Sequence, residues 1–198
     1  MTLINHLYNI NWPKSLRSLT FGHRFNQYLT YAEFPDSLES ITFGYAFNQN
    51  IDNDRWPKSL KALTFSTCFD QDINNVKWPD SLESLNLNYY FNQKIDNIML
   101  PDSLKTLDFS YCFNKNIDNV IFPSSLESIT FSGYWFNQNI DNVKWPKSLK
   151  SITFGEGFYQ PINSLPEGVT TININNKNYD IDLCNLPSSV KHISIGWH

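Results

Sequence analysis

The chain has 198 residues and a formal net charge of −4, and 41% of its residues are hydrophobic. Because its lysines and arginines do not cluster, the composition argues against binding to nucleic acid or to an anionic membrane surface. The first residues lack a basic segment followed by an apolar one, and no apolar run approaches the length of a membrane span, so we expect a soluble cytoplasmic protein.

Prolines divide the chain at nearly equal intervals, and each opens the same short phrase. They are Pro13, Pro35, Pro57, Pro79, Pro101, Pro123, Pro146, Pro166 and Pro187. The first six are 22 residues apart, and a period of this length predicts a solenoid of stacked coils. We therefore expect a single repeat domain over residues 1–198. It would comprise a partial coil (1–12), seven regular repeats (13–165) and divergent C-terminal capping coils (166–198).

A short strand is predicted in each coil, beginning soon after the proline. Apolar residues alternate with polar ones there, as in Leu63-Thr64-Phe65 and Ile129-Thr130-Phe131. Such alternation is typical of a strand with one buried face. The predicted fold is a mainly β solenoid, with a parallel sheet of about nine short strands, one per 22-residue coil, and a convex side poor in helix.

Two columns of side chains follow the strands. The first is a predicted aromatic spine in the core, formed by Phe25, Phe47, Phe69, Phe91, Phe113, Phe136 and Phe158. The second carries a short amide or carboxylate, at Asn26, Asn48, Asp70, Asn92, Asn114 and Asn137. Because Asn and Asp side chains bond backbone groups in turns, we expect the second column to have a structural role.

Charge alternates from coil to coil at the fourth residue after each proline. The residues are Arg17, Glu39, Lys61, Glu83, Lys105, Glu127 and Lys150. Neighbouring coils should place these side chains about 5 Å apart. We interpret the alternation as a ladder of weak attractions between coils and not as a docking patch.

The repeat phrase resembles two related families. Leu60-Lys61-Ala62-Leu63-Thr64-Phe65, followed by Cys68, resembles the leucine-rich repeat. The longer phrase P-x-S-L, with a later F-N-Q-x-I, is similar to the FNIP repeat, a leucine-rich-repeat relative of social amoebae and of the giant DNA viruses of amoebae. The resemblance is strong from Pro13 to Ile162, where Phe158-Tyr159-Gln160-Pro161-Ile162 carries the proline of the family name.

The resemblance implies a leucine-rich-repeat-like solenoid that binds a protein partner, in the host-cell cytoplasm if the chain is viral. Some viral members follow an F-box, which recruits a ubiquitin ligase. Residues 1–12 already look like the back half of a coil, with Leu3, Leu7 and Asn9 at its key positions, which leaves no room for an F-box. The resemblance therefore implies a free-standing adaptor, or a fragment of a longer protein.

Small side chains and tyrosines mark a candidate binding surface. The outward positions of the strands and the position after them are small, at Ser40, Thr42, Gly44, Ala62, Thr64, Ser66, Ser128, Thr130 and Ser132. One rim carries Tyr45, Tyr89, Tyr90, Tyr111 and Tyr134. Since tyrosine is enriched in interface hot spots, we predict that this tyrosine-edged concave sheet binds a protein, with Thr42, Thr64 and Thr130 in contact. The alternative is that these ladders only stabilise neighbouring strands.

The last strand suggests a second function. Residues 191–197 form a terminal strand whose edge nothing covers, and an exposed edge invites pairing with another chain. The alternative hypothesis is therefore a self-assembling structural protein, a homodimer joined through His192, Ser194, Gly196 and Trp197. The tryptophans Trp12, Trp56, Trp78 and Trp145, each before a proline, are predicted to be core residues whose indole N–H groups need a partner.

Catalytic and metal-binding patterns are missing from the sequence. The histidines are scattered, and no spacing matches a Ser/His/Asp triad, a P-loop or a metalloprotease. Cys68, Cys112 and Cys184 lack a CxxC spacing, so we interpret them as reduced core residues. Stacked pairs such as Asp52-Asn53 and Asp96-Asn97 lack the glycines of calcium-binding turns. We therefore predict no enzymatic activity, no metal and no cofactor.

Overall fold

The computed structural model describes residues 7, 10–109, 111–180 and 185–196. In that part of the chain it contains nine strands in one sheet: β1 (Ser18–Thr20), β2 (Ser40–Thr42), β3 (Ala62–Thr64), β4 (Ser84–Asn86), β5 (Thr106–Phe109), β6 (Ser128–Phe131), β7 (Ser151–Phe154), β8 (Thr171–Ile174) and β9 (His192–Ile195). Their spatial order is their order in the chain, and all neighbours are parallel. The predicted leucine-rich-repeat-like solenoid is confirmed.

The register between strands is the same throughout the sheet. Ile41 pairs with Leu63, as Ile129 pairs with Ile152 across a coil one residue longer than the others. In that longer coil, four residues lie between Phe131 and Phe136, whereas three lie between Phe109 and Phe113. The extra residue is therefore absorbed just after the strand, and both the sheet and the spine continue undisturbed.

The predicted phenylalanine spine is present and lies in the core. Successive rings stack with centroids 6.0 to 6.2 Å apart from Phe25 to Phe158. A second ring at the end of most strands packs on the spine ring of its own coil, as Phe43 does on Phe47 at 3.9 Å. All spine rings are buried except Phe25, which lies in the first of these coils and is half-buried. The core thus contains two aromatic columns side by side, the second interrupted by Leu87, together with columns of buried leucine and isoleucine.

Removal of one spine ring should destabilise the whole stack. Phe91 is fully buried, 6.2 Å from Phe69 and 6.1 Å from Phe113. We expect Phe91→Ala to lower the free energy of unfolding by about 3 to 5 kcal/mol, because it leaves a cavity between rigid neighbours. Urea denaturation would measure this loss, with Tyr31→Ala, at an exposed ring, as the control. An unchanged midpoint for Phe91→Ala would contradict the spine.

The asparagine column links each coil to the next. The backbone N–H of Asn48 donates to Oδ1 of Asn26 at 2.8 Å, and the N–H of Asp70 donates to Oδ1 of Asn48 at 3.0 Å. The same bond recurs at each step as far as Tyr159, whose N–H donates to Asn137. The structural role is confirmed, although the bonds join neighbouring coils and do not close a turn within one coil.

The serine of the repeat phrase makes a second ladder. The hydroxyl of Ser37 donates to the carbonyl of Leu16 at 2.7 Å, and Ser59 donates to Leu38 at 2.9 Å. The carbonyl of the proline that opens each phrase accepts the N–H of the leucine three residues later, as Pro35 does from Leu38. This bond closes the turn that leads into the strand. The serine side chain therefore links neighbouring coils at this corner, whereas the bond from proline to leucine joins backbone groups and also forms where valine replaces leucine, as at Val169.

The predicted charge ladder consists of ion pairs on the surface. Glu39 pairs with both Arg17 and Lys61, and Glu83 pairs with Lys105 at 2.7 Å. Lys61 holds the pKa of Glu39 below its ordinary value, and Lys105 does the same for Glu83. Because these side chains are solvated, the pairs add little to stability, and their main effect is to avoid stacking like charges.

The tryptophans line the proline corner, as predicted, but their indole groups differ from expectation. Trp78 is buried, and Trp12, Trp56 and Trp145 pack partly buried against the core. The expected partners are wrong: none of the four Nε1 atoms has a hydrogen-bond acceptor in the described structure. The neighbours of the tryptophans at this corner include aromatic rings, such as Phe122, which stacks on Trp145 at 5.7 Å. An aromatic ring does not provide a carbonyl acceptor for an indole N–H group.

One coil places a carboxylate in an apolar column. Asp54 is only 9% exposed, whereas the equivalent residues are Ala32, Val76, Ile98 and Val120, all buried. Neither carboxylate oxygen of Asp54 accepts a well-formed hydrogen bond. The Thr30 hydroxyl lies nearby and acts to lower the pKa of this carboxyl. Burial raises the pKa of Asp54 to about 6. The carboxylate therefore destabilises the folded chain at neutral pH.

Replacement of Asp54 by an apolar residue should stabilise the protein. The folded pKa of Asp54, about 6, lies above the ordinary value of 3.8, so the folded state binds the proton more tightly and its stability falls as pH rises through 6. We expect Asp54→Val to raise the free energy of unfolding by about 1 to 3 kcal/mol at pH 7.5 and by less at pH 5. Thermal melts at both pH values would show this, with Asp36→Val, at an exposed site, as the control. An equal gain at both pH values would contradict the role of the charge.

Candidate protein-binding surface

The tyrosines predicted from the sequence lie together, just beyond the ends of the strands. We call Tyr45, Tyr89, Tyr90, Tyr111, Tyr134 and Trp135 the aromatic rim. Tyr89 is 39% exposed and Tyr134 is 52% exposed, whereas Tyr111 is half-buried. Each ring lies two to four residues after the end of its strand and one or two residues before the spine phenylalanine of its coil. The regular coil spacing therefore turns scattered tyrosines into a row.

The rings of the rim also contact each other. Tyr89 stacks on Tyr111 with centroids 4.7 Å apart and an angle of 4°, and Tyr90 packs edge-on against Tyr89 at 4.9 Å. His23 stacks on Tyr45 at 4.8 Å. These contacts fit the alternative that aromatic ladders stabilise neighbouring coils. The stacked rings still expose much of their surface to solvent, in the orientation that the stacking sets.

One coil interrupts the row of rings. Between the coil of Tyr45 and that of Tyr89, the equivalent residues are Thr67 and Cys68. Cys68 is the largest cause, and Tyr90 a further one, of a raised pKa of Tyr45. Burial raises the pKa of Tyr111, with smaller contributions from Tyr89, Glu156 and other neighbours. The rim therefore has Tyr45 on one side of the interrupting coil and the other rings on the other side.

Cys68 and Cys112 lie under this rim and not in the core, contrary to prediction. Cys68 and Cys112 are free thiols and half-buried, and burial raises the pKa of Cys112. They occupy the column of Tyr90, whose side chains point toward the surface and leave the interior to the phenylalanines. Cys184 lies outside the described residues, as do Leu3 and Asn9 of the predicted partial coil.

The outward side of the sheet is lined with small polar residues. Thr42, Thr64 and Thr130 are half-buried and alternate with buried residues, as the strand pattern predicted. Ser66 is a correction, because it is buried and its hydroxyl donates to the carbonyl of Phe47 at 2.5 Å. Gly44 is small for a related reason: a Cβ there would lie 2.2 Å from the carbonyl oxygen of Gly22. Close packing of coils therefore accounts for that column.

Two exposed aromatic residues of this surface were not predicted from the sequence: Trp135 in the rim and Tyr159 beside it. Trp135 is 56% exposed and lines a groove of about 380 Å³ with Cys112, Asn114 and Lys115. It is present because the longer coil inserts one residue between strand and spine, and the break in the 22-residue period was the available signal. Tyr159 continues the exposed aromatic surface one coil further.

A different apolar surface lies at the proline corner. Ile121 is 81% exposed, and Met99, at the same position of the preceding coil, is also exposed. Beside them, Phe122 and Trp145 line a groove of about 530 Å³. The sequence pattern did not mark this surface, because the residue two before each proline is polar or charged in the other regular repeats.

The predicted dimer edge is partly described. His192, Ser194 and Gly196 belong to β9 or follow it, whereas Trp197 lies outside the described residues. Ile195 is 38% exposed, although the equivalent Ile174 of β8 is fully buried. Within the described sheet, β9 has a neighbour on one side only.

The described residues contain neither a candidate metal cluster nor a membrane-spanning helix. No cluster of three or more His, Cys, Asp or Glu among them could hold a metal ion. The same residues contain no helix with the length and apolarity needed to cross a bilayer.

Comparison with known proteins identifies the repeat. The FNIP repeat family model matches residues 10–46, 25–68, 69–112, 113–157 and 158–198. No curated protein matches the chain. A leucine-rich repeat protein of Bacteroides ovatus is 16% identical over 91% of this chain and 57% of its own, with a TM-score of 0.26, which adds nothing to the fold assignment.

A solved structure from a giant virus is much more similar. CroV588, described as a circular leucine-rich repeat protein, is 35% identical over 95% of this chain, with a TM-score of 0.74. The match covers 31% of CroV588, so this chain spans about a third of that protein's length. Repeat solenoids of this type are generally non-enzymatic, and the fold suggests a protein-interaction scaffold. With the family model matching almost its whole length, the chain belongs to the FNIP repeat family.

Proposed function

We propose that this chain is a non-catalytic scaffold that binds a partner protein through the aromatic rim and the adjoining face of the sheet. One observation carries the proposal: five of the six rings of the rim are exposed, and the rim lies beside half-buried threonines. Large exposed apolar area is uncommon on a protein surface and marks interaction sites. Rigid tyrosines and tryptophans lose little conformational entropy on binding and are the residues most enriched in hot spots.

The shape of the surface supports a protein as the partner. Successive coils are about 4.8 Å apart, so the rim from Tyr45 to Tyr134 extends over about 20 Å. The grooves along it are shallow and open, as beside Trp135, and do not enclose a small ligand. Thr42, Thr64 and Thr130 leave room for the backbone of a partner to approach the sheet. An elongated surface of this kind fits a polypeptide segment.

The finer proposal is that the scaffold acts as an adaptor in the cytoplasm. Its specific form would be a substrate-recognition module that works with an F-box, as the family resemblance implies. The similarity to CroV588 of a giant virus favours a viral protein, for which that cytoplasm would be the host cell's.

Truncation of the central pair of rings should release the partner. We expect Tyr89→Ala/Tyr111→Ala to lose a protein that the wild type captures from amoebal lysate, because each ring supplies exposed apolar area. Mass spectrometry of the captured proteins would identify it. Tyr28→Ala/Tyr31→Ala is the matched control, since it removes two exposed tyrosines away from the rim. Equal recovery by wild type and both variants, all folded by circular dichroism, would contradict a binding role for the rim.

A second candidate function, self-assembly through β9, rests on the exposure of Ile195 at the end of the sheet. A second copy that pairs with this edge would bury the side chain and satisfy the outward backbone groups. We expect Ile195→Lys, and deletion of residues 192–198, to convert a homodimer into a monomer in multi-angle light scattering. A wild type that is already monomeric at high concentration would exclude this candidate.

A further inference from the structure

The outward face of the sheet carries a single ionised group. Within the nine described strands, Asp108 of β5 is the only carboxylate, and there is no lysine or arginine. The equivalent residues of the neighbouring strands are Asn86 and Thr130. Since these neutral residues occupy the same position without disturbing the register, the fold does not require a carboxylate there.

Among the described residues, Asp108 has one side-chain partner. The side-chain amide of Asn86 donates to Oδ2 of Asp108 at 3.0 Å. A carboxylate can accept about four hydrogen bonds, so capacity remains for an external donor. The side chain is half-buried, and burial raises the pKa of Asp108 to about 6. At neutral pH the face therefore presents a poorly solvated negative charge, which a cation from outside would stabilise.

The rim rings next to Asp108 are suited to the same kind of partner. Tyr111 follows Asp108 by three residues in the same coil, and it stacks on Tyr89 of the preceding coil. Glu156 contributes a further negative charge close to Tyr111. Faces of aromatic rings attract lysine and arginine, and the planar guanidinium both stacks on rings and pairs with carboxylates. Charge complementarity thus selects a basic partner.

Cations of the chain lie beside the rim. In the column of Tyr90 the first coil carries Arg24, Lys115 lines the groove beside Trp135, and Lys177 lies beside Tyr134 in a second shallow groove. None of these cations belongs to the described strands, where Asp108 is the only carboxylate. On the face of the sheet itself, the position of Asp108 in β5 is consequently the one most favourable to a positive charge.

We propose that the centre of this surface binds a basic polypeptide segment, in which an arginine or lysine pairs with Asp108 while the segment lies across Tyr89 and Tyr111. This inference rests on the proposed function and specifies the chemistry of the partner. In this proposal Asp108 selects a positively charged segment, and the rim provides most of the apolar contact.

Selection from a phage-displayed library of short random peptides on the immobilised full chain would test the proposal. We expect the selected peptides to carry arginine or lysine and to bind Asp108→Asn more weakly by about tenfold or more, because that variant removes only the charge from the pair. Fluorescence anisotropy of the synthetic peptides would measure this ratio. Asp80→Asn is the matched control, since it makes the same change at an exposed site by a proline. It should weaken binding less than twofold, within what a distant surface charge contributes.

The outcomes separate this inference from the proposed function. Selection of peptides without basic residues, or equal weakening by Asp108→Asn and Asp80→Asn, would overturn the inference. If such peptides still lose binding in Tyr89→Ala/Tyr111→Ala, the rim remains the binding surface and only the basic partner is wrong. Peptides that bind all these variants equally would refute both proposals.

Discussion

Each coil follows the path of the coil before it at the spacing of one strand, about 4.8 Å, and this constraint governs the whole molecule. Every side chain therefore stands beside the equivalent side chain of the next coil. Phenylalanine tolerates this arrangement because rings stack, as Phe47 does between Phe25 and Phe69. Asparagine tolerates it because its carbonyl oxygen accepts the N–H of the next coil. Charge tolerates it only by alternating, as Glu39 does between Arg17 and Lys61.

The places where a coil departs from its neighbours carry the most information beyond the fold. Asp54 interrupts an apolar column at a cost in stability, and Asp108 interrupts a neutral column on the outward face. Trp135 exists because one coil is a residue longer, and the insertion is confined to the turn because sheet and spine cannot shift. Since the stack requires none of these departures, they are the residues for which a role outside packing has to be sought.

The regular features of the fold were predictable from the sequence, because a periodic pattern determines which residues form columns. The strand register and the spine through Phe91 followed directly. The errors concern what surrounds a side chain. Ser66 looked like an outward serine, but its hydroxyl turns to the carbonyl of Phe47, and Trp145 finds the ring of Phe122 where an acceptor was expected. Neighbours from another coil decide such contacts, and the spacing of residues within one coil carries no information about them.

The sequence by itself determined the period, the single strand in each coil and the family. Every coil buries apolar residues at equivalent positions, so the same apolar pattern recurs along the chain. Only the tertiary structure decided how individual residues are exposed and paired. It brought Tyr89 and Tyr111 into a stack, placed Cys68 under the rim and left Asp108 as the one charge among the described strands. The reason is physical: stacking brings residues 22 positions apart within contact distance, and their mutual geometry depends on both coils together.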